Sequence, residues 1–181
     1  MTTKHKKPST PTALSRRALV RGAVTAAAAA AAGVTAPASA QNAAGGKPPS
    51  NTRFIQPGGT YQTPTYTHVV EVTGPGRLIY TSGEQGRDKD GKLAADIRGQ
   101  SLQVLENIKN ALAAAGATFD HVIKFNVYML DLERFLPVFS EIKAQYINRS
   151  APPASTTVQV SKLTRGALIE VEVIASLPPV A

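Results

Sequence analysis

The sequence has no cysteine and no tryptophan, and only three of its 181 residues are histidines. A chain without cysteine forms no disulfide and offers neither a thiolate metal site nor a cysteine nucleophile. His5, His68 and His121 are the imidazoles left for a metal, so a zinc enzyme is not expected. Nothing else in the sequence calls for a metal or an organic cofactor, and neither is predicted.

Acidic residues are absent from residues 1–40, which carry six of the 20 lysines and arginines. Outside this segment 14 basic residues stand against 12 acidic ones, so most of the formal net charge of +8 belongs to the N-terminus. A nucleic-acid surface needs a basic face on the folded part of a protein, and this small excess gives no reason to expect one. The hydrophobic share of 43% supplies a core for about one domain, which excludes a wholly disordered chain.

Residues 1–40 have the order of an export signal: a basic stretch, an alanine-rich apolar run and the small residues Ala38-Ser39-Ala40. The pair Arg16-Arg17 after a serine resembles the twin-arginine type of signal peptide. We therefore expect the twin-arginine export machinery as a partner, cleavage after the last alanine, and a periplasmic or extracellular mature protein. The apolar run is too weakly hydrophobic for a membrane span, so no stable span is expected after cleavage. A retained anchor or an N-terminal helix of the folded domain is the alternative, although Gly33 and Pro37 would interrupt such a helix.

Glycine, proline, serine and asparagine in residues 41–59 predict a flexible linker, followed by one domain over 60–177 and a tail over 178–181. Within the domain, alternating apolar residues and β-branched runs predict strands, and apolar residues at helical spacing predict helices. The predicted strands span residues 67–73, 77–82, 121–130, 155–161 and 167–176, and the predicted helices span residues 97–115 and 132–147. Gly74-Pro75-Gly76 is a turn sequence, so the first two strands are predicted to form a hairpin.

Both predicted helices begin after an aspartate that can act as N-cap, and Gly116 can end the first of them. Each helix carries an apolar stripe, and the strand between them is expected to bury one face. The residues assigned to these buried positions are Leu102, Leu105, Ile108 and Leu112; Ile123, Phe125, Val127 and Met129; and Phe135, Val138, Phe139, Ile142 and Tyr146.

The element order β-β-α-β-α-β-β predicts an α+β fold in which both helices cover one face of a sheet. On the last strand, the other face would mix Leu168 and Ile174 with Glu170 and Glu172. A bare sheet face with this mixture favours packing against other subunits, with polar clefts at the seams. We therefore expect an oligomer.

Six motifs follow one another over about residues 60–177. They are IYTSGE at 79–84; the helix with Gln100, LENI at 105–108 and AAAG at 113–116; VIKFNVY at 122–128; DL at 131–132; PPAS at 152–155; and IEVEVIA at 169–175. In this order and spacing the motifs resemble those of the RidA/YjgF family, the reactive intermediate deaminases. The resemblance implies a chorismate-mutase-like subunit with two helices on one face of a mixed sheet, and a homotrimer with three clefts between neighbours. It also implies hydrolysis of 2-imino or 2-enamino acids to 2-oxo acids and ammonia.

The resemblance also shows a departure at the substrate anchor. In active members an arginine follows the Pro-Ala pair and holds the substrate carboxylate with a guanidinium fork. Here Ser155 follows Pro153-Ala154, so the chain resembles a member that lacks the arginine. A serine hydroxyl has one donor and no positive charge, and losing a charge-assisted contact of this kind typically costs a few kcal/mol.

The other site residues implied by the resemblance are retained. Glu170 matches the acid that orients the attacking water, which is a general-base role. Ser82, the Gly83 backbone, Tyr66, Ser155 and Thr156 are expected to contact the substrate, and Phe139 would make the cleft more apolar. Without the family match, Glu170 would be interpreted as a solvated strand residue and Ser82-Gly83 as a strand end.

Arg87, in the loop after Ser82-Gly83, is the nearest basic residue in sequence that could replace the missing anchor. Solvation of a loop charge is the alternative, and Arg165 is a weaker candidate. Three functions therefore stay open: an exported hydrolase of imine or enamine compounds that uses Glu170, a non-catalytic trimeric binder of small metabolites, and a structural or chaperone-like trimer. The serine at position 155 favours the second function, and the retained acid favours the first.

Overall fold

A computed structural model of the chain describes residues 47–179. The predicted signal sequence, its cleavage site and part of the predicted linker lie outside the described residues. The strands are β1 (Thr52–Ile55), β2 (Val69–Val72), β3 (Arg77–Tyr80), β4 (Glu84–Gln85), β5 (Val122–Met129), β6 (Ala154–Gln159) and β7 (Ile169–Leu177), and the helices are α1 (Ile97–Ala114) and α2 (Leu132–Lys143).

The main sheet has the order β3-β7-β5-β6, and β4 pairs with β7 beyond the end of β3. Strands β5 and β6 run parallel, and the other pairs are antiparallel. The two helices pack on each other and on the same side of this sheet, α1 against β7 and α2 against β5. The predicted α+β fold with two helices on one face of a mixed sheet is therefore confirmed.

Both helices begin where the sequence predicts. The Asp96 carboxylate accepts a hydrogen bond from Gly99 N at 2.8 Å, and the Asp131 carboxylate accepts one from Arg134 N at 3.1 Å. These contacts satisfy backbone donors that a first helical turn leaves unpaired. Helix α1 is followed by Gly116, whose φ of 75° is the left-handed conformation that glycine supplies at a helix end. Helix α2 ends four residues earlier than predicted.

The core lies between the helices and the sheet face formed by alternate residues of β5 and β7. Two predicted core positions differ from the structure. Leu102 is 41% exposed, because α1 turns Val104 inward instead, beside the predicted Leu105. A β-bulge between Val122 and Lys124 shifts the alternation, so Val122 rather than Ile123 is buried.

The predicted hairpin of residues 67–82 is wrong. Strand β2 pairs with β1, while β3 pairs with β7. The Thr73 N–H donates to Asn51 O at 2.8 Å, which continues the ladder toward β1. Gly76 has its backbone so close to Leu177 O that a Cβ would lie 2.6 Å from that oxygen. The connection therefore leads β3 directly onto the end of β7, away from β2.

Strand β1 lies within residues 41–59, the stretch whose composition predicts a linker. It forms with β2 a two-stranded ribbon, in which Arg53 and Glu71 make a salt bridge at 2.6 Å. Val70 and Val72 of this ribbon line a cavity together with Ser176, on the sheet face away from the helices. No helix in residues 47–179 is long and apolar enough to cross a membrane.

Candidate functional site

The predicted acid Glu170 is the second residue of β7, and its carboxylate lies against the backbone of Gly83. Gln85 is its cross-strand partner, and Gln85 Nε2 donates to Glu170 Oε2 at 2.6 Å. A side chain at residue 83 would collide with Glu170 Oε1. Residues 47–179 give Oε1 no hydrogen bond, so this oxygen can accept one from a water or a ligand.

Residues 81–83 form a break between β3 and β4 on the same edge of β7. Thr81 N donates to Val173 O at 3.0 Å, and Val173 N donates to Thr81 Oγ1 at 2.9 Å. The next two residues, Ser82 and Gly83, leave the strand ladder and are exposed. Donors that leave a ladder in this way can serve a ligand, which is the role predicted for these two residues.

An open cleft of about 940 Å³ lies over this edge of the sheet. Its wall is mostly polar and includes Gly83, Gln85, Arg87, Asn107, Thr164 and Glu170. The structure therefore brings three predicted site residues, Gly83, Arg87 and Glu170, into one cleft. We call this group, with Ser82, the acid group.

Arg87 uses most of its guanidinium within the protein. Nε donates to Gln85 Oε1 at 3.2 Å and Nη1 to Gly91 O at 3.0 Å, while Nη2 donates to Arg165 O at 3.0 Å and Thr164 O at 3.5 Å. Four of the five guanidinium donors are thus engaged. Arg87 holds together the loops of the cleft and has little capacity left to bind a substrate carboxylate.

Ser155 and Thr156 are neighbours on β6 but point to opposite faces of the sheet. Ser155 is in register with buried Phe125, on the helix side, and Thr156 is in register with Asn126, on the other side. The Thr156 hydroxyl accepts a hydrogen bond from Lys124 Nζ at 2.6 Å. Only Ser155 is therefore on the side of the helices.

Tyr66 lies near the start of β6. The neighbouring Thr67 N donates to Pro153 O at 3.3 Å, and the Thr67 hydroxyl donates to Pro152 O. The Tyr66 ring contacts His68 edge-on, with 5.2 Å between ring centroids. Tyr66 and Ser155 thus lie at the same end of β6, and we call them the anchor group.

Phe139 is 1% exposed and belongs to the core between α2 and the sheet. The Lys143 side chain lies over the Phe139 ring, with 5.9 Å between Lys143 Nζ and the ring centroid. The structure therefore places Phe139 beneath the helix rather than on the surface of the cleft that contains Glu170.

The acid group and the anchor group are far apart in one chain. Glu170 is in register with Tyr128, and Tyr128 with Val158, which is three residues beyond Ser155. With strand spacings of about 4.8 Å and a rise of about 3.3 Å per residue, the Cα atoms of Glu170 and Ser155 are roughly 14 Å apart. Their side chains also point to opposite sheet faces, so one chain does not unite them.

Sequence reasoning missed three residues that shape the site. Gln85 orients Glu170, and Asn107 Nδ2 donates to Gln85 O at 3.0 Å and to Arg87 O at 2.8 Å, which holds the loop against α1. Lys143 lies beside the anchor group. A polar residue within a helix is a signal that could have indicated Asn107. No sequence pattern gives the strand register that places Gln85 opposite Glu170.

The fold and the site define a class of protein: an α+β subunit with two helices on one side of a mixed sheet and a carboxylate-bearing cleft at the strand edge. The model of the family described as endoribonuclease L-PSP matches residues 60–177, and the chain belongs to this family, also called RidA/YjgF. The family identification made from the motifs is thus confirmed.

Individual relatives agree with this result. Protein DfrA of Myxococcus xanthus is 37% identical over 112 residues, which cover 61% of this chain and 83% of that protein. A 2-iminobutanoate/2-iminopropanoate deaminase of Salmonella typhimurium is 35% identical over 102 residues, 55% of this chain and 80% of the deaminase. The crystal structure of the Rid-family protein YyfB from Yersinia pestis matches with a TM-score of 0.62 and 29% identity, over 70% of this chain and 99% of that one.

Proposed function

We propose that this protein is an exported hydrolase of the RidA family that converts small imine or enamine compounds to carbonyl compounds and ammonia. Glu170 orients a water and accepts its proton as the water oxygen bonds to the C=N carbon. The imine nitrogen takes up this proton as the C=N π bond opens, which gives a carbinolamine. The carbinolamine hydroxyl then loses its proton to nitrogen through Glu170 while the C=O bond forms and the C–N bond breaks, and ammonia leaves. An enamine first becomes the imine by moving its N–H proton to carbon. Water is the only co-reactant of this reaction.

The observation that carries this proposal is that the Glu170 carboxylate is held at one oxygen and open at the other. Gln85 fixes one oxygen at 2.6 Å, and the other lies beside Gly83, which has no side chain to cover it. Glu170 is half-buried, so water can reach the oxygen that Gln85 does not hold. An oriented carboxylate with one open oxygen fits the positioning of a water.

We further propose that the working site lies between copies of the chain in a homotrimer. The acid group and the anchor group are about 14 Å apart on opposite sheet faces, by the spacing of β-strands. A neighbouring subunit can bring its anchor group to the acid group, which a single chain cannot do. Leu78 and Tyr80, 53% and 68% exposed on the sheet face away from the helices, offer apolar surface for such packing.

The function is tested with the purified full chain and freshly generated 2-iminopropanoate, with ammonia release as the measurement. We expect acceleration by the protein and a loss of about 10²–10⁴-fold in rate in Glu170→Gln, because the amide cannot accept the proton of the water. Glu133→Gln, an exposed change of the same kind on α2, should leave the rate unaltered. Equal rates for wild type and Glu170→Gln would contradict the proposal.

A non-catalytic binder of small metabolites is the second candidate, and the observation that favours it concerns the anchor. Ser155 carries no charge, and Arg87 is engaged by Gln85, Gly91 and the segment 164–165. An enzyme without a carboxylate clamp would lose transition-state binding. Ligand binding without ammonia release from any of several imino acids would establish this second function.

A further inference from the structure

Lys143, the last residue of α2, is a buried cation to which residues 47–179 offer no carboxylate partner. The residue is 9% exposed, and its Nζ lies 5.6 Å from the ring centroid of Phe125 and 5.9 Å from that of Phe139. None of the salt bridges within residues 47–179 includes it. Buried charges are normally paired, because their removal from water is costly. The contacts with two aromatic faces compensate only part of that cost.

The surroundings of Lys143 are those of an anion site. A cavity of about 60 Å³ lies between the end of α2 and the segment before Tyr66, with Pro64, Thr65, Ser140, Lys143, Ile147 and Arg149 in its wall. Two of these residues are cations, and none of the residues in the described part of the chain that line the cavity is acidic. Burial lowers the pKa of Lys143, because the charged ammonium is removed from water.

The cavity lies close to Ser155, which occupies the position of the missing arginine. Ser155 is the register partner of Phe125, and the ammonium of Lys143 lies over the same ring. Thr65 lies in the cavity wall, one residue before Tyr66 of the anchor group. A volume of about 60 Å³ holds roughly two water-sized groups, enough for a carboxylate but too small for a whole metabolite.

We propose that Lys143, assisted by Arg149 at the mouth of the cavity, binds the carboxylate of a small organic acid and supplies the positive charge that Ser155 does not. This inference rests on the proposed function, which supplies the substrate that the cavity would anchor. Ser140 and Thr65 line the same cavity, and the Ser140 hydroxyl is of a kind that can donate to a carboxylate.

The test uses pyruvate, a stable 2-oxo acid, titrated into the full chain by calorimetry. We expect Lys143→Met to weaken pyruvate binding about 10- to 100-fold, the loss typical of a charge-assisted hydrogen bond. Lys162→Met, the same change at an exposed lysine, should bind pyruvate like the wild type. Pyruvamide, which lacks the negative charge, should bind the wild type and Lys143→Met equally.

Because Lys143 is buried and its replacement can prevent folding, a second variant tests the same inference at an exposed residue. Arg149 is exposed, so Arg149→Glu should fold, and a negative charge at the cavity mouth should weaken pyruvate binding at least several-fold. Unchanged binding in Lys143→Met or Arg149→Glu would overturn the inference. Equal competition by chloride and acetate would also overturn it, because the site would then be one for any anion.

The two proposals fail differently. Ammonia release that depends on Glu170 but not on Lys143 would leave the hydrolase standing and remove the carboxylate anchor. Pyruvate binding that depends on Lys143, without any ammonia release, would leave the anchor standing and remove the hydrolase.

Discussion

At the residue scale, the chemistry of the cleft depends on small contacts that fix a carboxylate. Gln85 holds one oxygen of Glu170, and Gly83 leaves room for the other. The identity of Glu170 as a candidate acid could be predicted from a motif. The restraint by Gln85 could not, because it depends on the strand register that places residues 85 and 170 opposite each other.

The glycine beside the acid gives a direct prediction. Gly83→Ala should lower the rate of ammonia release at least about tenfold, because a Cβ would force the Glu170 carboxylate out of its position. Stability should change by less than about 1 kcal/mol, since Gly83 is exposed and outside the core. The measurements are initial rates and thermal unfolding.

Gly58→Ala is the matched control, since a Cβ at residue 58 would meet nothing within 4 Å. It should leave both measurements unaltered. A Gly83→Ala variant with wild-type rates would show that the carboxylate need not occupy the observed position.

At the element scale, local sequence signals predicted both helices correctly but did not predict which strands pair with each other. Asp96 and Asp131 predicted both helix starts correctly, because an N-cap depends only on residues within one turn. The turn sequence 74–76 predicted a hairpin, but β2 pairs with β1 and β3 pairs with β7. Strand β7 is distant in sequence, and β1 has only a weak strand pattern. Strand pairing is set by packing across the whole sheet, which a short sequence window does not contain.

The N-cap of α1 provides the test at this scale. Asp96→Ala should reduce the free energy of unfolding by about 1 kcal/mol, because Gly99 N loses its acceptor, and Asp96→Ser should recover most of that loss. Urea unfolding followed by circular dichroism measures the change. Asp90→Ala, which removes only an exposed contact with Lys89, should lie within about 0.5 kcal/mol of wild type. If Asp96→Ala matched Asp90→Ala, the cap would contribute nothing to the helix.

At the scale of the whole molecule, the acid and anchor groups belong to different parts of one sheet. The fold class and the family could be predicted because they depend on element order and motifs spread over most of the chain. The division of the site could not be predicted from sequence, because it follows from the register of β5, β6 and β7 and from which face each side chain takes.

A shared site predicts complementation between two impaired variants. Glu170→Gln retains Lys143 together with the anchor group, and Lys143→Met retains the acid group but lacks the cation. After unfolding and refolding of a 1:1 mixture, about one quarter of the clefts in a randomly assembled trimer should combine two intact halves. At substrate concentrations too low to saturate Lys143→Met, ammonia release should then recover to about a quarter of the wild-type rate, whereas each variant refolded separately should stay well below that rate.

The oligomer is checked in the same samples by light scattering at micromolar concentration, where a trimer is expected. A monomeric wild type, or a trimeric mixture with no recovered activity, would contradict a site built from two copies.

The topology of the sheet also bears on how the protein is made. Strand β7 follows all the other strands in the chain, yet it occupies an interior position between β3 and β5. While the ribosome is still adding residues before 169, the edges of β3 and β5 that β7 will pair with have no partner. The sheet therefore closes only after nearly all of the described chain has been synthesised. A chain that stops before residue 169 lacks β7 and cannot complete the sheet.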